Sequence, residues 1–376
     1  MLRSGYRLPF TIAGIPIRLD ATFALLVVLL TWLIGTRVGT YADLLSLDVD
    51  PARLEAGATP WLLGLAGALG LVLSVLLHEL AHALVARRFG VTIREIRLWI
   101  LGGIAQFDEM PERPRDEAIV AIAGPVASLL LGVGLGGVVA VVGASAGVAL
   151  VVLAYLATVN VVLAVFNLLP ALPMDGGRVL RALLAMALGP LRATRIAATV
   201  SQVVAVGMGL FGLVTFNLFL VAIAVFVYAA VQAETRHAIV RDVLDDVPVR
   251  EIMTREVETV GASMSVADFV DTVIARRHVF FPVVGPGGDL LGTLRLQDLE
   301  AAPRDASVGD VMRREVATIA PTASAADAFA KIAEVDGQRL IVQDAAGSLA
   351  GIVSSTDLLR SLQVRLTRRR LDDADA

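Results

Sequence analysis

His78-Glu79-Leu80-Ala81-His82 places two of the chain's four histidines within five positions. On a helix, His78 and His82 lie one turn apart on the same face. Both imidazoles could then bind one Zn²⁺, with Glu79 beside them as a base toward water acidified by the metal. The flanks, Leu71 to Leu77 and Ala83 to Ala86, are almost wholly apolar, so the motif sits inside a stretch of membrane character. Ionisable groups are costly there, about 2.5–3.5 kcal/mol for a central Asp, Lys or Arg on insertion scales. A divalent ion would compensate for three polar residues in five positions. The plain alternative is that these side chains pair with neighbouring helices.

A zinc centre of this kind needs a third protein ligand, with the fourth position left to water. The segment Asn167-Leu-Leu-Pro170-Ala-Leu-Pro173-Met-Asp175-Gly176-Gly177-Arg178 offers Asp175. The prolines prevent regular helix and the glycines permit close backbone approach. Irregular backbone at membrane depth is tolerated only when buried in protein or lining a wet cavity. Read alone, the segment is better taken as a loop whose Asp caps the next helix; the first motif is what turns the reading toward a ligand.

With both motifs in view, the chain resembles the site-2 protease family of intramembrane zinc metalloproteases (peptidase family M50). That family carries a His-Glu-x-x-His helix and a distant Asn-x-x-Pro-x-x-Pro-x-Asp-Gly-Gly segment, both intact and in order here. The resemblance implies one Zn²⁺ held by His78, His82 and Asp175. It also implies that Glu79 activates water and moves its proton, and that Asn167 holds the substrate or the developing oxyanion. Ala123-Gly124-Pro125 belongs to the same match. So does Gly102-Gly103-Ile-Ala-Gln106-Phe107, which resembles the family's strand near the active site. Leu98 to Phe107, with Gly103, Gln106 and Phe107, could receive an unwound substrate by strand addition; a short surface hairpin is the alternative. The implied substrates are membrane-anchored proteins.

The elements that must position these residues are membrane helices. Hydrophobic residues make up 56% of the 376-residue chain, above the roughly 45–50% of soluble domains. Apolar runs near the ~20 residues needed to cross a bilayer predict about six spans: Ala21–Gly35, Trp61–Ala86, Ala118–Val142, one ending near Leu169, Ile196–Leu213 and Thr215–Val231. The first is expected to be a retained span and not a signal peptide. Arginine is concentrated before span one, between two and three, and between four and five. The positive-inside rule then puts the N-terminus and the C-terminal module in the cytoplasm of a multi-pass cell-membrane protein. The expected fold class is a polytopic α-helical membrane core followed by an α/β module. Its expected bounds are 1–232 for the core, 233–247 for a linker, 248–302 and 307–365 for two repeats, and 366–376 for a charged tail. The absence of cysteine excludes disulfides and thiolate ligands, and a net charge of −4 gives no sign of nucleic-acid binding.

The C-terminal module repeats itself at an offset of 59. Val249, Met253, Arg255, Glu256, Val257, Thr259, Asp268, Gly292 and Asp298 recur as Val308, Met312, Arg314, Glu315, Val316, Thr318, Asp327, Gly351 and Asp357. This resembles a tandem pair of CBS domains, a regulatory fold that commonly binds adenine nucleotides such as ATP or AMP. The family's ligand motif stands as Gly351-Ile-Val-Ser354-Ser-Thr-Asp357 in copy two. Copy one reads Gly292-Thr-Leu-Arg295-Leu-Gln-Asp298, with Arg295 where a hydroxyl belongs; an arginine can still pair with phosphate. The resemblance thus implies Ser354, Asp357, Arg295 and Asp298 as nucleotide contacts, and a pair that only supports a homodimer is the alternative. His237 and His278 are expected at ordinary helix or surface positions. Arg365 to Arg370 could meet anionic headgroups or form a solvated tail. The rival functions are a CBS-gated transporter or channel and a catalytically silent binder of membrane proteins. A transporter would spread polar residues over many spans, whereas here they converge on two segments, and the intact Glu79 argues against a silent binder.

Overall fold

The structure is a computed structural model that describes residues 5–100, 102–107, 113–273, 279–300, 302–335 and 339–374; His278 lies outside them. The chain divides into two units, Met1–Thr235 and Arg236–Ala376.

Unit one begins with a hairpin ahead of the first apolar run. β1 (Gly5–Ile12) and β2 (Ile15–Asp20) pair antiparallel around Ala13-Gly14, both at positive φ. The helices α1 (Thr22–Gly35), α2 (Val38–Leu44) and the single-turn α3 (Pro51–Leu54) follow. α1 has 14 residues, about 21 Å at 1.5 Å per residue, short of a hydrocarbon core of about 30 Å. It reaches spanning length only together with α2, across a 59° bend. The first span expected over Ala21–Gly35 is thus a short helix that has spanning length only as half of a bent pair. α1 also approaches α4 (Thr59–Arg88) so closely that a Cβ on Gly64 would lie 2.4 Å from the carbonyl oxygen of Thr31.

After α4, β3 (Ile93–Trp99) and β4 (Gly102–Phe107) complete a sheet of order β1-β2-β3-β4. β3 runs parallel to β2 and antiparallel to β4. Ile15, Ile96 and Ala105 of this sheet bury against Leu76, Leu80 and Ala83 of α4. That packing fixes the sheet along the helix bearing the His-Glu-x-x-His motif. Then come α5 (Pro114–Val142), α6 (Ala149–Asn167), α7 (Asp175–Leu188), α8 (Pro190–Val214) and α9 (Leu218–Leu244). Among the described residues α4, α5, α6, α8 and α9 are each long and apolar enough to cross a membrane, giving five spans, or six with the bent pair.

Unit two contains α10 (Val249–Ile252), β5 (Val260–Gly261), α11 (Val266–Val273), β6 (Phe280–Val284) and β7 (Leu290–Arg295) in the first repeat. The second repeat supplies α12 (Val308–Val311), β8 (Thr318–Ile319), α13 (Ala325–Glu334), β9 (Arg339–Gln343), β10 (Leu349–Ser354) and α14 (Ser355–Ala374). Each repeat forms a three-stranded sheet, and each lends its leading segment to the other. Val249 is buried with Leu340, Val342 and Val353, while Val308 and Met312 are buried with Phe281 and Leu294. Thr254 exchanges backbone hydrogen bonds with Ile352, and Thr293 with Arg313. Neither repeat closes its core alone, which is the physical reason for two copies.

Residues 233–247, expected as a linker, are helical to Leu244, and Val243, Leu244 and Val247 are buried in the core of unit two. Residues 366–376, expected as a charged tail, are helical as far as Ala374, with Leu366 packed on the same core.

Candidate metal centre and active site

The spacing of His78 and His82 on α4 stacks their rings edge to face, with centroids 4.8 Å apart, and both residues are buried. Asp175 is the first residue of α7 and is also buried. A carboxylate there is favoured by the positive end of the helix. Its Oδ2 lies 3.1 Å from His78 Nε2 and 3.2 Å from His82 Nε2, and the two Nε2 atoms are 3.2 Å apart. Tetrahedral zinc bonds of about 2.0–2.1 Å set neighbouring ligand atoms about 3.3 Å apart. The triangle is of that size.

The other ring nitrogens show which atoms are free to bind. His82 Nδ1 donates to the carbonyl of Val120 at 2.7 Å, and His78 Nδ1 lies 2.9 Å from the hydroxyl of Ser128. A carbonyl only accepts, so His82 Nδ1 carries the proton and Nε2 presents a lone pair to the centre. His78 Nε2, His82 Nε2 and the Asp175 carboxylate converge in a buried space, a set of donor atoms that a shared cation would hold together. The donor set, its size and its orientation fit Zn²⁺. Among the described residues this is the one cluster of three or more metal-ligating side chains.

The helix α5 supplies both pins, Val120 and Ser128, and between them Gly124. A Cβ on Gly124 would fall 2.2 Å from His82 Nε2 and 2.6 Å from His78 Nε2, so any side chain would enter the centre. Gly124 lies in the Ala123-Gly124-Pro125 stretch of the family resemblance, while Val120 and Ser128 stand in no motif. The available signal was the i, i+4 spacing of Gly124 and Ser128 on one face of a span.

Glu79 stands half-buried beside the triad, and its Oε2 accepts from the backbone N–H of Ala105 on β4 at 3.0 Å. β4 is the last strand of its sheet, and a Cβ on Gly103 would lie 2.8 Å from Glu79 Cγ. The motif helix and the edge strand thus meet at Glu79. Gln106 pairs with Glu95, and the backbone of Phe107 pairs with Ile93. Asn167 is the last residue of α6, and its amide donates to Leu163 of the same helix at 2.9 Å, not to the triad.

In unit two, Ser354 and Asp357 bond each other at the start of α14, Oγ to Oδ2 at 2.6 Å. In copy one, Asp298 Oδ1 accepts from Nε and Nη2 of Arg313 at 2.9 and 2.6 Å, and its Oδ2 accepts from the backbone N–H of Arg295 at 3.1 Å. The structure thus brings the copy-one aspartate against an arginine, whereas Thr254 stands at the equivalent position, 59 residues earlier.

The model of peptidase family M50 matches residues 66–148 and 133–211, and that of the CBS domain matches 249–304 and 308–364. A zinc metalloprotease of Methanocaldococcus jannaschii is 32% identical over 368 residues, covering 97% of this chain and 98% of the relative. Among solved structures, the site-2 protease from Methanocaldococcus jannaschii is 34% identical over 62% of this chain and 95% of its own, with a TM-score of 0.43.

Proposed function

The chain belongs to peptidase family M50 and is a multi-pass zinc metalloprotease with a CBS pair, and we propose that it hydrolyses membrane-anchored proteins within the bilayer. The observation that carries this reading is the triangle of His78, His82 and Asp175, 3.1–3.2 Å on each side, with its two histidines on a membrane-length helix.

His78, His82 and Asp175 would hold the metal in this mechanism. When bound, zinc supplies Lewis acidity that polarises a carbonyl and acidifies water. Glu79 accepts the proton from the attacking water and passes it to the leaving nitrogen. A substrate helix has its amides bonded internally, so it must unwind before attack. The free edge of β4 receives the unwound segment by strand addition, with Gly103, Gln106 and Phe107 along it. Ala105 N–H then holds the Glu79 carboxylate at the junction of substrate and metal. Asn167 commits one amide hydrogen to Leu163 and directs the other to the substrate or oxyanion.

The arginine distribution supports a cell-membrane protein with its N-terminus and CBS module in the cytoplasm. The CBS pair regulates the protease by binding an adenine nucleotide, with Ser354 and Asp357 as the contacts. The Arg313 pairing of Asp298 makes the copy-one motif, including Arg295, the weaker site.

The test compares purified wild type with Glu79→Gln for zinc content and for cleavage of candidate single-span proteins. One zinc in each, with cleavage by wild type alone, is the expected result. A well-folded wild type that takes up no zinc would overturn the proposal.

A further inference from the structure

We propose that Ser201 is a positioning residue for the metal centre, holding the loop that delivers Asp175; this rests on the assignment of Asp175 as a zinc ligand. Ser201 lies on α8 and is fully buried. Its hydroxyl donates to the carbonyl of Ala197 at 2.6 Å and accepts the backbone N–H of Leu172 at 2.7 Å. Leu172 sits three residues before Asp175, in the loop between α6 and α7.

That loop has few ways to hold itself. Pro170 and Pro173 carry no N–H. Ala171 N–H bonds Leu169 and Met174 N–H bonds Ala171, both within the loop. Leu168 and Leu169 N–H bond back to α6, and beyond them Leu172 N–H is the loop donor that reaches α8. The Leu172 side chain is 1% exposed and packs with Ala197, Ala198 and Ala205 of α8 and with Val227 and Val231 of α9. One residue therefore seats the loop twice, by an apolar plug and by a hydrogen bond whose acceptor is Ser201.

The seat is transmitted to Asp175 by contact. A Cβ on Gly177 would lie 2.3 Å from Leu172 N, and one on Gly176 would lie 2.3 Å from the carbonyl oxygen of Leu168. The first turn of α7 is pressed onto the loop with no slack, so displacing Leu172 displaces the carboxylate two residues beyond Pro173. A metal shell with bonds near 2.0 Å tolerates little displacement, and outer supports of such shells typically change metal affinity 10–100-fold when removed.

The experiment uses the purified full-length chain, zinc, and a competing chelator, with thermal melting in parallel. Ser201→Ala is expected to weaken zinc binding about tenfold or more, and Ser201→Thr, which restores the hydroxyl, to recover most of it. Thr194→Val removes a buried hydroxyl from the same helix whose bond goes only to Pro190 within α8, and should leave zinc affinity unchanged. Should Ser201→Ala fail to fold, Ser201→Cys keeps the volume with a poorer acceptor and is expected to give an intermediate loss. The proposal is overturned if Ser201→Ala or Ser201→Cys binds zinc as wild type does, or if Thr194→Val weakens binding equally. If instead Asp175→Ala retains wild-type zinc affinity, the assignment of the ligand fails and not the role of Ser201 alone.

Discussion

Replacing Gly124 by alanine adds one methyl group to the metal centre. The new carbon would lie 2.2 Å from His82 Nε2, 2.6 Å from His78 Nε2 and 2.7 Å from His82 Cε1. Non-bonded heavy atoms in contact sit about 3.5 Å apart, so helix or rings must give way by about 1.3 Å. The rings cannot simply swing aside, because Val120 and Ser128 on the same helix hold their Nδ1 atoms. Nor can α5 tilt freely, since Val120, Ala121, Pro125 and Ser128 around Gly124 are all buried. Overpacking of this size costs about 1–3 kcal/mol, which a folded chain survives with a lower melting temperature. At the centre, a displacement near 1 Å costs on the order of 10²-fold in rate. Gly124→Ala is thus expected to remain helical and membrane-inserted, to lose zinc during chelator dialysis that wild type withstands, and to lose at least about 10²-fold in turnover. Gly134→Ala on the same helix, where an added Cβ meets nothing within 4 Å, should match wild type. Zinc per chain by elemental analysis, with cleavage of a single-span substrate, provides the readout. A Gly124→Ala protein with one tightly held zinc and wild-type turnover would refute this geometry of the centre.

Arg181 on α7 pairs with Glu117 at the start of α5 and with Glu234 on α9. Arg181→Ala leaves two carboxylates facing each other and should cost about 2 kcal/mol, read as a fall in melting temperature; an unchanged value would reduce the pairing to a surface contact. In the CBS module, Asp357→Ala should abolish a melting shift induced by AMP or ATP, while Asp298→Ala should largely preserve it because Arg313 already engages Asp298. Equal loss in both variants would show two equivalent sites. Asp310 accepts hydrogen bonds from the Ser307 hydroxyl and backbone N–H, which lower its pKa below the ordinary 3.8. Its contribution to stability is therefore present above about pH 4 and lost as pH falls through the lower folded value. Ser307→Ala should melt below wild type at pH 5–7 by a margin that closes as the pH drops under 3.8; a margin that does not change with pH would exclude the Asp310 carboxylate as its source.

Much of the centre was legible because its signals are local. Two histidines one turn apart and a proline-glycine segment at the end of a span mark themselves in a single sequence. The hairpin β1–β2 did not. Residues 5–20 alternate poorly, with a register shift between Arg7 and Thr11, and their parallel partner β3 lies far along the chain. The bend between α1 and α2 was also hidden, since composition counts apolar residues and not the path of the backbone. The packing of residues 233–247 and of Leu366 is not visible in sequence, because Val243, Leu244, Val247 and Leu366 find their apolar partners only in the folded repeat pair.

By itself the amino-acid sequence determined the two halves of the candidate metal centre, the membrane character of the helices and the twofold repeat. Each follows from spacing, composition or identity at a fixed offset. Tertiary structure alone decided that Asp175 closes the triangle and that Gly124 leaves room for it. It likewise set Val120 and Ser128 against the histidines and put Ala105 of an edge strand on Glu79. Those contacts join residues 26 to 97 positions apart, and the reason they hold is packing. α5 and the sheet bury their apolar faces on either side of α4, and that burial fixes the distances on which the chemistry depends.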